Sequence, residues 1–476
     1  MMQEGAKITD LRSFIAHLEK NGELKRVKAE VDWDLELSHI AKLNEEKNGP
    51  SLLFENIRGY TTPVLTSVYT KTTRVAIALN MPPDSSIFEM AKAWIEITKK
   101  GGIPPKKVSD GPVLENRKTG AEVDLTSFPV PKYFPKDGGR FFGTTVYLVT
   151  KDPETGFVNL GTYRMEMLDK KSLGALLIVG KDAEVTMKKY HARNERMPAA
   201  AVMGGDPRHF LLGGSTLPYG ASEYDVVGAL RGAPVEVIEG DVTGLPIPAH
   251  AEIVAEGFID PDPKSFRDEG PFGEFTGYYS KGRNPRPWLD VKHVHHRDQP
   301  IFWASTVGRP PTANVMIHSL AKTASLWTQL NQMKIPGIQS ICFHPAAGRF
   351  WAVISVKQMY PAHGRHVGVA AFGTVVGNYG VKGIIVVDDD IRADDWDRVM
   401  WALSVRYNPA TDTEIIKKGR STPLDPSLPA DQRFINSRII MDATIPYEWA
   451  EKPEMVDLDM DVVENVKRRW DELGID

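Results

Sequence analysis

Residues 144–168 read TTVYLVTKDPETGFVNLGTYRMEML. Alternating apolar and polar residues flank DPETG, whose proline, acids and glycine suit a tight turn, so the stretch predicts a β-hairpin. Working outward, PVEVIEGD, AEIVAEGFI, WLDVKHVHH and QPIFWASTV repeat the strand texture to about residue 305. One helical stretch near 182–196 interrupts them. An antiparallel barrel or sandwich is expected here.

The flanks have a mixed texture. Thr9 or Asp10 is placed to cap a helix with Leu11, Phe14, Ile15 and Leu18 on one face, ended by Asn21-Gly22. A strand-like LKRVKAEV and a second helical pattern from Leu35 follow. GGIPPKKVSDGP (101–112) reads as a linker, and FPVPKYFPKDGG (128–139) is too rich in proline for a central strand. Beyond the β region, IHSLAKTASLWTQLNQM (317–333) predicts a connecting helix. SICFH, FWAVISV, a helical 361–378, GIIVVDDD and a helix through DWDRVMWALSVRY then alternate as in an α/β unit. A charged tail carries a short helical pattern near 461–472.

The 476 residues suggest two or three domains, and 42% hydrophobic with 25% charged residues is an ordinary globular composition. A net charge of -4 offers no electrostatic case for nucleic acid or an anionic membrane surface. Cys342 is the only cysteine, which rules out an internal disulfide and fits a reducing compartment. MMQEGAKITDLRSF has no apolar signal core, and no run of about 18 apolar residues occurs, so a cytoplasmic, soluble protein is expected. GxxxxGK[ST], GxSxG, CxxC and HExxH are all missing, which disfavours several large enzyme classes.

Five places invite chemistry. In DEGPFGEFTGYYS (268–280), Glu269 and Glu274 flank Gly-Pro-Phe-Gly. A helix would separate them and a strand would point them to opposite faces, so only an irregular loop aims both at one point. Paired carboxylates suit acid–base work, and the plain alternative is two solvated loop residues. In VNLGTYR (158–164), Asn159 and Arg164 fall on opposite faces of a regular strand. A joint role needs a bulge at Gly161 or a ligand bracketed from two sides; otherwise Arg164 is a strand residue paired with a nearby acid. Glu223 begins a helical SEYDVVGALRG that Ser222 is placed to cap; a metal role needs a partner such as Asn159. In HVHH, His293 and His295 share a face and His296 points away, so two metal ligands are possible with no third in sequence reach; ordinary exposed strand histidines are the plain alternative. VVDDDIR (386–392) reads as a Mg²⁺ site or as a strand end leading into a helix capped near Asp394.

Taken together, NLGTYR, SEYDVVGALRG, EGPFGEFTGYYS, GRPPTANVMIHSLA and VKGIIVVDDDIRADDWDRVMWALSVRYNPATDTEII, with the opening DLRSFIAHLEKNGELKRV, resemble the UbiD-type decarboxylases, which use prenylated FMN. The resemblance covers nearly the whole chain. It implies a mixed α+β fold: an N-terminal α/β region (1–115), a split β-barrel flavin domain (116–308), a linker helix (309–334), a C-terminal α/β domain (335–445) and a tail (446–476). The active site would lie between the last two domains.

By the same resemblance, Glu274 is the proton shuttle, and Glu269 with Arg164 is a supporting ion pair that leaves Glu274 free to face the substrate. Asn159 and Glu223 match ligands of a Mn²⁺-like ion, with K⁺ nearby, that holds the flavin phosphate. Lys382 matches a phosphate contact, Thr162 and Tyr163 line the flavin, and Gly180 and Lys181 lie near it. Fungal ferulate-type members have a histidine as third metal ligand where this chain has Lys181, so a backbone group or water is left for that place. His191 lies nearby on KKYHARNE but reads as a solvated helix residue. Ile317 and His318 match substrate-facing positions; the histidine suits a ring hydroxyl, heteroatom or second carboxylate, or else is buried and satisfied by backbone. The implied reaction is reversible non-oxidative decarboxylation of an aromatic or heteroaromatic (α,β-unsaturated) acid through a covalent adduct with prenylated FMN. A flavin prenyltransferase would supply the cofactor, CO₂ would be a product, and a homodimer or larger homo-oligomer is expected. A non-catalytic assembly subunit of a multi-subunit carboxylase is the alternative, and a two-carboxylate hydrolase has only the glutamate pair in its favour.

Overall fold

A computed structural model describes residues 7–215, 217, 220–429 and 431–474. At its centre the expected hairpin forms: Tyr147–Lys151 pairs with Val158–Thr162 in unbroken register. Tyr147–Lys151 continues to Met197–Gly204, then to Ala251–Ile259, Trp288–His296, Ser172–Ala175, Met165–Asp169 and Arg140–Gly143, all antiparallel. Asn116–Thr119 adds to Trp288–His296, completing nine strands. The edge strands 140–143 and 158–162 are not paired with each other, so the sheet stays split.

FVNLGTYRMEML does not form one strand. Pairing with 147–151 ends at Thr162, and Met165–Asp169 belongs to a different part of the sheet, so Tyr163 and Arg164 occupy the break. The bulge considered at Gly161 is not there, since Gly161 pairs regularly with Leu148. The glycine serves a close approach: a Cβ on it would come within 2.5 Å of the Tyr163 ring.

The amino-terminal region opens with helix Leu11–Lys20. The Asp10 carboxylate accepts from Ser13 N at 2.9 Å while Ser13 Oγ accepts from Asp10 N at 3.0 Å, closing a capping box. Leu11, Phe14, Ile15 and Leu18 are all buried, each contributing about 1.5–3 kcal/mol. Leu24–Val27 pairs parallel with Ser51–Phe54, which pairs antiparallel with Val64–Thr66. The fourth strand comes from far away: Phe302–Trp303 lies parallel to Val64–Thr66. The supposed linker 101–112 also contributes, because Lys106–Lys107 pairs with Glu236–Glu239. An ionic clamp joins this region to the large sheet. Glu252, fully buried, accepts from Arg12 Nε and Nη2 at 3.1 Å, from Arg297 Nη1 at 3.3 Å and from Ile301 N at 3.0 Å.

Helix Ala313–Gln332 starts four residues before the apolar pattern, capped by Thr312, whose side chain accepts from Val315 N. Its Trp327 meets Phe88 edge to face at 4.9 Å, and Leu326 and Leu330 are fully buried in the carboxyl-terminal core. That domain has five strands in the order 338–343, 351–356, 383–388, 435–443, 413–420, parallel in the middle and antiparallel at both edges. The acidic run after Gly383–Asp388 is ion-paired: Arg406 binds Asp388 at 3.3 Å and Asp390 at 2.6 Å, which favours a structural strand end over a Mg²⁺ site. Among the described residues no helix is long and apolar enough to cross a membrane.

Candidate functional site

The break after Thr162 turns Arg164 out of the sheet and toward the 268–280 loop. Glu269 ends strand Arg267–Glu269 and is 1% exposed; its Oε1 and Oε2 accept from Arg164 Nε and Nη2, both at 2.6 Å. Glu274 accepts from Arg164 Nη1 at 2.5 Å, so it is not left free as expected. One guanidinium thus holds both carboxylates, and it lies over the Phe272 ring at 5.2 Å.

The loop that delivers the two acids is bound at several points. Gly270 has φ +85°, a conformation that glycine adopts without Cβ strain, and its N–H donates to Glu166 Oε2 at 2.6 Å. Gly273 N donates to Asp137 Oδ1, and Phe134 N to Asp137 Oδ2, both at 2.9 Å. Ser280 and Phe272 exchange hydrogen bonds, and Glu274 N reaches Tyr278 O at 2.9 Å. Burial pushes the Glu274 carboxyl up from its ordinary range and the Glu269 charge adds to this, while Arg164 and Arg349 hold it back. Arg164 itself is kept firmly protonated: burial opposes its charge, but the two glutamates outweigh that cost.

A second cluster is rich in oxygen. Asn159, on Val158–Thr162, has its Nδ2 3.4 Å from both Asp182 Oδ2 and Glu223 Oε1, and its Oδ1 is buried without a partner. Glu223 opens helix Glu223–Arg231 and accepts from Leu160 N at 2.9 Å. Burial pushes its carboxyl up to about 7, with Asp182 adding to the effect. Ser222 does not cap this helix; its hydroxyl donates to Val158 O instead. Asp182 was not anticipated, although it directly follows Lys181 in the sequence. It supplies a carboxylate at the cluster, where a backbone group or water was expected.

Around these two clusters lie the other expected residues. Thr162 Oγ1 donates to Gly213 O at 3.2 Å, and the buried Tyr163 accepts from Ala183 N at 3.3 Å. Gly180 has φ +82° and donates to Glu184, and Lys181 is the residue before helix Asp182–Ala192. Ile317 is 2% exposed and packs on Gly214, at the end of the helix that Thr162 touches. His318 makes no hydrogen bond among the described residues, against the backbone-satisfied alternative. Lys322, one turn on, and Arg349 were not anticipated, though the i, i+4 spacing from His318 marks Lys322. His318 and Lys322 are only partly covered. Even so, desolvation keeps His318 neutral and pushes the Lys322 ammonium down to about 7, and Arg349 reinforces both shifts. Arg349 stacks over the Phe275 ring at 3.5 Å, beside Glu274. Lys382 joins neither cluster by direct contact; its ammonium binds Asp425 at 2.7 Å and Ser427 at 2.6 Å. A surface hollow of about 460 Å³ lined by Lys151, Tyr190 and Leu245 shares no residue with any of these groups.

Comparison with known proteins places the whole chain. Three domains described under one carboxy-lyase match in order: the 3-octaprenyl-4-hydroxybenzoate carboxy-lyase N-terminal domain at 15–94, the Rift-related domain at 106–310 and the C-terminal domain at 315–443. Among solved structures, the chain is similar to the UbiD-class enzyme HmfF from Pelotomaculum thermopropionicum in complex with FMN, at 29% identity over 96% of this chain and 99% of that one, TM-score 0.85. It is similar to the vanillic acid decarboxylase of Sedimentibacter hydroxybenzoicus in open form, at 29% identity over 98% and 99%, TM-score 0.87. The 3,4-dihydroxybenzoic acid decarboxylase of Klebsiella pneumoniae matches at 26% identity over 96% and 99%, TM-score 0.84.

Proposed function

The chain belongs to the UbiD family of carboxy-lyases, and from that membership we propose that it catalyses the reversible, non-oxidative decarboxylation of an aromatic or heteroaromatic acid with prenylated FMN. The observation that carries the reading is the largely covered Arg164 held between the buried Glu269 and Glu274.

The residues present fit the cofactor. The unpartnered Asn159 Oδ1, the Glu223 carboxylate and Asp182 form a hard oxygen donor set, suited to a Mn²⁺-like ion at the flavin phosphate, with K⁺ as a neighbour. When bound, prenylated FMN supplies the electrophilic centre that takes up the electron pair left as CO₂ departs. Arg164, fixed by two hydrogen bonds to Glu269, orients the substrate carboxylate. Glu274, whose carboxyl burial pushes up toward its acid form, delivers a proton to the carbon that has lost CO₂; in the reverse direction it is the base. Ile317 forms an apolar wall, and the neutral His318 meets a ring hydroxyl, heteroatom or second carboxylate. A flavin prenyltransferase supplies the cofactor, and the enzyme works in the cytoplasm as a homodimer or larger homo-oligomer.

Co-expression with a flavin prenyltransferase, purification in the dark and a near-UV/visible spectrum test this reading. A bound flavin chromophore, with CO₂ release from hydroxybenzoic or heteroaromatic acids, is expected. A colourless protein that takes up no flavin would overturn it and restore the assembly-subunit alternative.

A further inference from the structure

The strand Trp288–His296 carries three histidines, none with a part in the proposed carboxy-lyase reaction. His293 and His295 lie side by side on one face, with ring centroids 5.6 Å apart. The fold supplies the third group that sequence spacing lacks. Glu256, on the neighbouring strand and fully buried, accepts from Thr243 N at 3.1 Å and from the Thr243 hydroxyl. It thereby pins the turn between Glu236–Glu239 and Pro246–Pro248 onto the sheet, and Asp241 sits in that turn. One ligand atom each from Asp241, His293 and His295 then lies within 4.8 Å of the others.

We propose that Asp241, His293 and His295 form a binding site for a zinc-class divalent ion, separate from the oxygen-rich cluster at Asn159. Three observations support it. Nδ1 of His293 and Nδ1 of His295 are both buried without a hydrogen-bond partner, and His295 is fully buried. His295 Nε2 lies 3.2 Å from Glu256 Oε1, which fixes the tautomer that leaves Nδ1 with a free lone pair. A histidine steered by a carboxylate behind it is the usual support of a metal ligand. The charges also balance, since a dication faces Asp241 and Glu256 as its two anions. Two imidazoles and one carboxylate suit zinc with a fourth position open to water, whereas magnesium and calcium prefer all-oxygen sets. Ligand bonds of about 2.0–2.2 Å place tetrahedral ligand atoms roughly 3.3 Å apart, so binding draws Asp241 and His293 inward. Asp241 Oδ2 already stands 3.7 Å from His293 Nδ1. Arg117 Nη1, 3.6 Å from Asp241 on a half-exposed side chain, swings toward solvent as the ion takes its place.

The test uses the flavin-loaded enzyme, dialysed against chelator and titrated with Zn²⁺ in excess Mn²⁺ so that the oxygen-rich cluster is filled. Bound zinc is counted by mass spectrometry, and Co²⁺ substitution is read by its visible d–d absorption. One zinc per wild-type chain is expected, with a raised Tm. In His293→Asn and Asp241→Asn, both partly exposed positions that tolerate substitution, zinc affinity falls at least tenfold and the cobalt bands vanish. Wild-type protein that takes up no zinc, or zinc retained equally in both variants, would overturn the site.

Discussion

Arg164 holds its two carboxylates unequally, with two hydrogen bonds to Glu269 and one to Glu274. A proton on Glu274 therefore sacrifices one charge-assisted bond and leaves the bidentate pair in place. Glu274→Gln keeps the shape and removes the acid, so kcat should fall about 10²–10⁴-fold while the flavin spectrum persists. Retained turnover would remove Glu274 from the proton role. Its pH dependence has a definite sign. Burial raises the folded-state pKa, so the acid form persists above the ordinary carboxylic range and is lost as pH rises through the raised value. Decarboxylation should fall on the alkaline side, and carboxylation at high CO₂ should gain there; a flat profile for both would count against the assignment. At the oxygen cluster, Asp182→Asn should weaken flavin retention on gel filtration, and Glu223→Ala should abolish it. Unchanged flavin occupancy in both would separate these residues from cofactor binding.

At the scale of elements, the 268–280 loop depends on Asp137, which bridges it to Phe134. Burial pushes the Asp137 carboxyl up to about 6 from an ordinary value of 3.8. The folded state therefore binds the proton more tightly than the unfolded chain. That stabilisation is complete below about pH 4 and is lost as pH rises through about 6, amounting to no more than roughly 3 kcal/mol. Thermal melts should show wild-type Tm falling from pH 4.5 to 7.5 relative to Asp137→Asn, and parallel profiles would refute the raised Asp137 carboxyl. Elements whose information is local were legible in the sequence. Leu11–Lys20 has a cap and an apolar stripe within ten residues, and the hairpin carries its own turn. The break at Tyr163-Arg164 was not legible, because it arises where two strands find different partners, and alternation alone continues through it. At the site, Gly270, Pro271 and Gly273 marked the glutamate loop, and the family motifs identified Arg164. Asp182, Arg349 and Asp241 gave no such mark, since their meaning lies in neighbours 23 to 75 positions away.

For the whole molecule, the regions are joined by burial and by charge. Glu252 answers Arg12 and Arg297 at the seam between the first helix and the large sheet. Glu252→Gln removes the anion that Arg12 and Arg297 share, leaving Arg297 with Asp10 alone and Arg12 with backbone carbonyls, a loss of roughly 1–3 kcal/mol because Arg12 is partly open to solvent. Calorimetry should show an earlier amino-terminal transition, and limited proteolysis should cut first before residue 115; an unchanged melt would show that the seam is held by apolar contacts alone. The strand Phe302–Trp303 has a temporal consequence as well. On the ribosome, Val64–Thr66 emerges more than two hundred residues before its parallel partner. Until Trp303 leaves the exit tunnel, the nascent first sheet exposes a bare edge of unpaired amides and carbonyls, open to chaperones and to the same edge on neighbouring polysomal chains.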